Sequence, residues 1–462
     1  MSASSAAPAG APARPQPLYF INGPADFLLV GGLSILAFAV LYFTGGEAHQ
    51  GRSGAIITLG QQLLWVCNWP HFAATSYRLY HSRDNIRQYP LTALGIPWLI
   101  LAVMIGSVVY PDTIAPYFVM GYLLWSPYHF SGQTVGVSMI YARRAGFFVG
   151  KAERFALSSF VFATFLSQTI QSHVIHTPDS PRTMDYFEIK FPVLGLPQWA
   201  ELVTEVWMYL TGLLFVLLVL RWCIRNRRML PPIVVLPALA QYVWFIFGPL
   251  RPSFNEFVPF FHSMQYLLIA WSMQLKEKLD REQARPPARP GPLEQNLRIA
   301  AKVMFAIALY PLLKWLLTMD AQVPKDIAAY LPMAITGVYI AYIGFSIAMD
   351  SHETRPSYSY VIYESLRWFD LNIMIGACLF FVSPILLSHF FGVNKLLAIG
   401  ITAAGVQVHH FFVDGVIWKL KRATVASPLM VNISDLITPA AQAVPMFVGA
   451  PAGVMAAPAE KT

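Results

Sequence analysis

Gln407-Val408-His409-His410-Phe411-Phe412-Val413-Asp414-Gly415-Val416-Ile417-Trp418-Lys419 decides how this chain is read. It closes an apolar run that starts near residue 393 and ends at the basic group Lys419, Lys421 and Arg422, as a membrane-spanning helix ends at its polar flank. Two adjacent histidines and an aspartate stand inside that run. Ionisable side chains within a span are costly, and they mark function together with a partner elsewhere in the bundle. The partners this sequence offers are His71, His129 and His262.

Composition supports the membrane reading. Of 462 residues 56% are hydrophobic and only 12% charged, and apolar runs of the length needed to cross hydrocarbon recur throughout. The fold class this implies is all-α, a polytopic membrane helix bundle. A net charge of +8 would suggest nucleic-acid binding in a soluble protein. Here the Lys and Arg excess lies in short loops, where it orients the chain and meets anionic lipid, so no nucleic-acid partner is expected. Cys67, Cys223 and Cys378 are far apart in apolar segments and form no CxxC or CxxCH. They read as buried thiols rather than as disulfides, zinc ligands or haem attachment points.

Twelve spans are expected, near 26–44, 55–78, 90–110, 114–141, 154–172, 199–221, 231–248, 255–275, 297–319, 327–349, 366–388 and 393–418. Loop charge gives their orientation. Arg78, Arg83, Arg87, Arg143, Arg144, Lys151, Arg225, Arg227, Arg228, Lys276, Lys278 and the group after Lys419 fall on one side, which the positive-inside rule makes cytoplasmic. Both termini then lie in the cytoplasm, and the chain is a multi-pass protein of the inner (plasma) membrane. Residues 1–25 read as a disordered Ala/Pro-rich tail, 26–275 as the first eight spans and 276–298 as a charged, Pro-rich cytoplasmic linker. The last four spans follow over 299–422, and 423–462 reads as a mostly disordered tail. The external stretch 173–198 is long enough to act as a lid or re-entrant segment, or to be a plain connector. Asp26 and Asp370, near span ends, read as helix caps.

The histidines share a depth. Counted back from the first basic residue on the cytoplasmic edge, His71, His129, His262 and His409 lie seven, fourteen, fourteen and ten positions in. At 1.5 Å per residue they occupy one slab, roughly 10 to 21 Å inside that boundary. A polar group follows at i+4 in three of the contexts: Thr75 after His71, Gln133 after His129 and Asp414 after His410. Such a group stacks on the same helix face and is placed to hold an imidazole's second nitrogen. On the eighth span Gln265 and Tyr266 follow His262 at i+3 and i+4. Pro70 and Pro127 stand just ahead of two of the histidines and open the backbone there.

Imidazoles from separate helices hold iron, copper or zinc while leaving a position open, or bind haem b axially in pairs. The expected ligands are His71, His129, His262, His409 and His410. Asp414 is expected to act as ligand or acceptor, Gln133, Thr75 and Gln265 to orient the cofactor's ligands, and Tyr128, Tyr266, Trp125 and Trp418 to line an apolar pocket. The alternative for any one histidine is an interhelical hydrogen bond. Two other functional classes fit the composition: a haem-carrying or structural subunit of a respiratory or photosynthetic membrane complex, and a proton-coupled transporter. A homo-oligomer is compatible with each.

At His71, His129, His262 and His409-His410 the pattern resembles bacterial polytopic proteins of the Brp/Blh type, membrane β-carotene dioxygenases with histidines deep in several spans. The resemblance covers short motifs, and the HFG and PHG contexts of that group are replaced here by His129-Phe130-Ser131 and His71-Phe72-Ala73. It implies a non-haem iron oxygenase acting on a carotenoid or lipid-like hydrophobic molecule that enters from the bilayer. Membrane desaturases are a more distant comparison, since their paired HxxxH and HxxHH boxes are absent.

Overall fold

Backbone N–H and C=O groups inside hydrocarbon must pair within their own segment or close a barrel, and this chain meets that demand with helices. The computed structural model describes residues 18–44, 54–147, 149–284, 292–318, most of 332–344 and 358–418. It is helical almost throughout: α1 (Gly23–Thr44), α2 (54–80), α3 (Leu91–Val109), α4 (Ala115–Arg144), α5 (Lys151–His173), α6 (Trp199–Asn226), α7 (Leu236–Leu250), α8 (Val258–Ala284), α9 (Pro292–Thr318), helical turns within 332–344, α10 (358–391) and α11 (Lys395–Ile417). The described part of each expected span falls largely on one of these segments, the tenth lying mostly outside the described residues.

The count of twelve is not reached on length and apolarity. Among the described residues five helices are long and apolar enough to cross a membrane: α1, α3, α6, most of α10 and α11. The others fall short for physical reasons. α4 is 30 residues long but carries His129, Gln133, Arg143 and Arg144, and its serines and threonines face the interior. α7, at Leu236–Leu250, is too short, and α2 carries Gln61, Gln62, Asn68, His71 and Arg78 along its length; both contain π-turns, α2 at Leu64–Asn68 and α7 at Val243–Phe247. The first of these precedes Trp69-Pro70, where proline lacks the N–H that a continuous helix needs. By contrast, α4 runs unbroken through Pro127.

α11 is the centre of the arrangement. It packs on α2, α3 and α4, and its small residues from Ala398 to Gly405 allow close approach, Ile401 and Ala404 being fully buried. α8 packs on α1 and α2, and α10 on α2. At the last contact a Cβ on Gly376 would lie 2.6 Å from the Trp69 carbonyl carbon. Gly376→Ala must therefore push α10 off α2, and is expected to destabilise the protein by about 1–3 kcal/mol through overpacking. Thermal unfolding in detergent measures this; an unchanged midpoint would mean the two helices separate freely.

The structure adds detail to four sequence expectations. Residues 18–25 are ordered, with Phe20 fully buried; residues 1–17 and the tail 423–462 lie outside the described residues. The charged stretch 276–298 is helical up to Ala284 and again from Pro292, and 285–291 lie outside the described residues. Within 173–198 a two-stranded antiparallel hairpin forms, β1 (Thr183–Tyr186) and β2 (Ile189–Pro192). Its Ile189 and Phe191 are buried against Val119 and Tyr122 of α4 and Ile401 of α11. The thiols are free, in no disulfide, but not fully buried: Cys67 and Cys223 are half-buried and Cys378 is exposed.

Candidate metal centre

Four imidazoles converge where α2, α4, α8 and α11 meet. His71 follows the π-turn and Pro70 on α2, His129 follows Pro127 on α4, His262 stands one turn into α8, and His410 comes from the buried face of α11. His71, His262 and His410 are essentially inaccessible, and the His129 side chain is 8% exposed. Nε2 of His410 lies 2.9 Å from Nε2 of His71 and 3.0 Å from Nε2 of His129. Asp414 Oδ2 lies 3.4 Å from the same His410 nitrogen and 3.7 Å from that of His129. The His262 ring is centred 5.2 Å from His71 and 5.3 Å from His129, stacked on Phe130 at 3.8 Å.

A ring nitrogen carries one proton or one lone pair, so His410 Nε2 cannot form linear hydrogen bonds to both neighbours. A shared cation accounts for the distances directly. Two nitrogens each roughly 2.0–2.1 Å from one metal lie roughly 3 Å apart at right angles and roughly 3.4 Å apart at the tetrahedral angle. The ligand atoms of His71, His129 and His262 lie within 4.8 Å of one another, as do those of His129, His410 and Asp414. Both nitrogens of His262 are buried without a hydrogen-bond partner among the described residues, a costly state for a polar ring that a cation would relieve. The donor set of imidazole plus one carboxylate suits iron, copper, zinc or manganese, and is a poor match for magnesium or calcium. Haem fits less well. Two axial nitrogens stand roughly 4 Å apart across the ring plane, whereas these three imidazole nitrogens are packed edge to edge.

Asp414 is held from behind. Its Oδ1 accepts from Trp418 Nε1 at 3.1 Å and lies 3.3 Å from Thr75 Oγ1 and 3.4 Å from Tyr266 OH, one of which donates to it, leaving Oδ2 for the histidines. Thr75 and Tyr266 also hydrogen-bond to each other. The Arg78 guanidinium lies over the Trp418 ring at 5.4 Å and pairs with Glu277 at 2.8 Å, fixing the indole.

Several expected residues do something else. His409 points away from the cluster: its Nε2 meets Tyr80 OH at 3.1 Å, and that hydroxyl donates to the Ala93 carbonyl at 2.9 Å. Adjacent residues on a helix point about 100° apart, so only one of His409 and His410 can face the centre. Thr75 braces Asp414 instead of an imidazole, and Nδ1 of His71 and of His410 has no hydrogen-bond partner among the described residues. Gln133 donates to the His262 backbone carbonyl at 2.8 Å. Gln265 reaches the Val30 carbonyl of α1, in the π-turn where Gly31 leaves helical geometry.

A cavity of about 280 Å³ opens beside the cluster. Trp125, Tyr128, Tyr266 and Trp418 all line it, as the sequence suggested, with Val137, Ile140, Ile269 and Phe411. Of the cluster only His129 and Asp414 reach its wall, so the centre has one open side. Tyr128 is exposed and packs on Phe162. Gly132, Gly136 and Gly415 also line the cavity. Sequence reasoning missed them, although Gly132 and Gly136 share the face of His129 at i+3 and i+7.

Compared with family models, curated proteins and solved structures, the chain matches none.

Proposed function

We propose that this chain is an integral-membrane, metal-dependent oxidoreductase, a non-haem iron oxygenase acting on a hydrophobic molecule. The observation that carries the reading is the convergence of His71, His129 and His410 Nε2 on one point, with Asp414 Oδ2 beside it and a single open side toward an apolar cavity. His129, His410 and Asp414 offer the two-histidine, one-carboxylate face that suits iron in oxygenases. His71 and His262 would complete the holding set. Iron, when bound, supplies activation of dioxygen. The residues around it bind and orient: Thr75, Tyr266 and Trp418 fix the carboxylate, while Trp125, Phe411 and Val137 keep water from the open side. The carotenoid or lipid-like substrate class is supported by the apolar lining and by the resemblance to membrane β-carotene dioxygenases.

The same proposal places the chain in the plasma membrane with twelve crossings and both termini cytoplasmic, with lipid and further copies of itself as partners. The helical state of the described part of each apolar segment and the segregation of loop Arg and Lys support this. The deciding measurement is elemental analysis with an absorption spectrum on detergent-purified protein. Iron in near-integral amount without a Soret band is the expected result. Protein purified metal-free, or with a Soret band, would remove the oxygenase reading in favour of proton-relay or haem-carrier roles.

A further inference from the structure

The cavity's shape says more about its occupant than its apolar lining does. α4 lines it from Trp125 to Ile140, roughly 22 Å of helix. His129 stands four residues from one end of that stretch and eleven from the other, so the metal-facing wall divides a slot into arms of roughly 6 Å and 16 Å. The ends differ. Tyr128, beside the metal-facing wall, and Gly132 and Gly415, at the start of the long arm, are exposed and form a lateral mouth. The long arm stops at Val137, Ile140 and Ile269, each at most 5% exposed and part of one hydrophobic cluster.

The glycines set its width. A Cβ at Gly132, Gly136 or Gly415 would meet nothing within 4 Å, so none of the three is required by close packing. Glycine inside a helix is destabilising relative to alanine, and at these three positions the missing side chain leaves room in the slot they line. A larger side chain at Gly136 would stand in the long arm.

We infer that the slot gauges chain length. It takes a slender apolar chain whose end lodges against Val137, Ile140 and Ile269, so that the carbon facing His129 and Asp414 is set by the length of the long arm. Gly136 is then a specificity-determining residue. This rests on the oxygenase reading for what happens at that carbon, but the seating of the chain is independent of the metal.

The test uses full-length protein in detergent, irradiated with a long saturated fatty acid carrying a diazirine at its methyl end, with the label mapped by peptide mass spectrometry. Wild type should be labelled at Val137, Ile140 and Ile269. Gly136→Leu should lose most of that label, the remainder moving toward Tyr128, while Gly136→Ala keeps it and both variants keep the wild-type metal content. Ile140→Ala, which only removes atoms at the closed end, should bring a longer homologue into the arm should the leucine variant fail to fold. Label spread alike over lipid-facing helices in wild type and Gly136→Leu would overturn the inference. Closed-end label on protein purified without metal would uphold the gauge and remove the oxygenase reading instead.

Discussion

His410→Ala is expected to lower metal retention by more than about 100-fold, while the adjacent His409→Ala leaves it unchanged. Groups that only orient a ligand are worth about 10–100-fold in metal affinity, so a ligand that touches two others must exceed that range. His410 Nε2 is the nitrogen that sits within 3.0 Å of both His71 and His129 and nearest Asp414 Oδ2, and its removal leaves no atom at the middle of the set. His409 instead shares the Tyr80 hydroxyl, whose bond to Ala93 remains when the imidazole is gone. Thr75→Val should fall between the two, because it removes one of three polar groups packed on Asp414 Oδ1 and touches no ligand nitrogen. Metal content by elemental analysis after equal dialysis against a chelator gives the ranking directly. Equal loss in the His409 and His410 variants would mean that both act through helix stability, and the proposed centre would fall with that result.

That contrast also shows where the sequence is informative. Depth along a span can be counted in residues, so the shared slab of His71, His129, His262 and His410 was readable from spacing. Direction around the helix is harder, because it needs the neighbours' positions. The acid four residues after His410 was a local signal in its favour, whereas Tyr80, more than three hundred residues before His409, gave none. Hydropathy fails at the site for a related reason. A helix that turns polar groups inward toward a centre loses the apolarity by which spans are recognised, and α4 and α8 both fall outside the five apolar helices. The hairpin was unreadable locally. Its turn residues Phe187 and Glu188 both adopt positive φ, 47° and 66°, where glycine or asparagine would have announced the turn. They are held there by burial of Ile189 and Phe191 against α4 and α11, a tertiary effect. Asp26 was expected to cap a helix, but Asn22 does so, accepting from Ala25 N–H, and Asp26 reaches back to an earlier segment.

Asp26→Ala is expected to destabilise the protein by about 3–5 kcal/mol, the largest stability effect of any single polar side chain considered. The carboxylate is fully buried and accepts from Phe20 N–H at 2.6 Å, Ile21 N–H at 2.9 Å and Tyr141 OH at 2.7 Å. Each buried donor left without an acceptor costs about 1–3 kcal/mol, and water relieves part of this at half-buried Ile21. Asp26→Asn keeps one acceptor oxygen and should cost less than half as much. The loss would not stay local. Arg144 donates to the Leu18 and Tyr19 carbonyls and lies 4.1 Å over the Phe20 ring, so the segment 18–22 is fastened to the end of α4 at two points and Asp26 is one of them. Phe20 shares a hydrophobic cluster with Val137, Ile140 and Ile269, the residues that close the long arm of the slot. Releasing the segment should therefore lower the unfolding midpoint and expose 18–22 to protease. Metal content should stay at the wild-type level, since none of the bonds made by Asp26 reaches a histidine. A midpoint unchanged within error, with 18–22 still protected, would show that Arg144 and Phe20 hold the segment without the carboxylate.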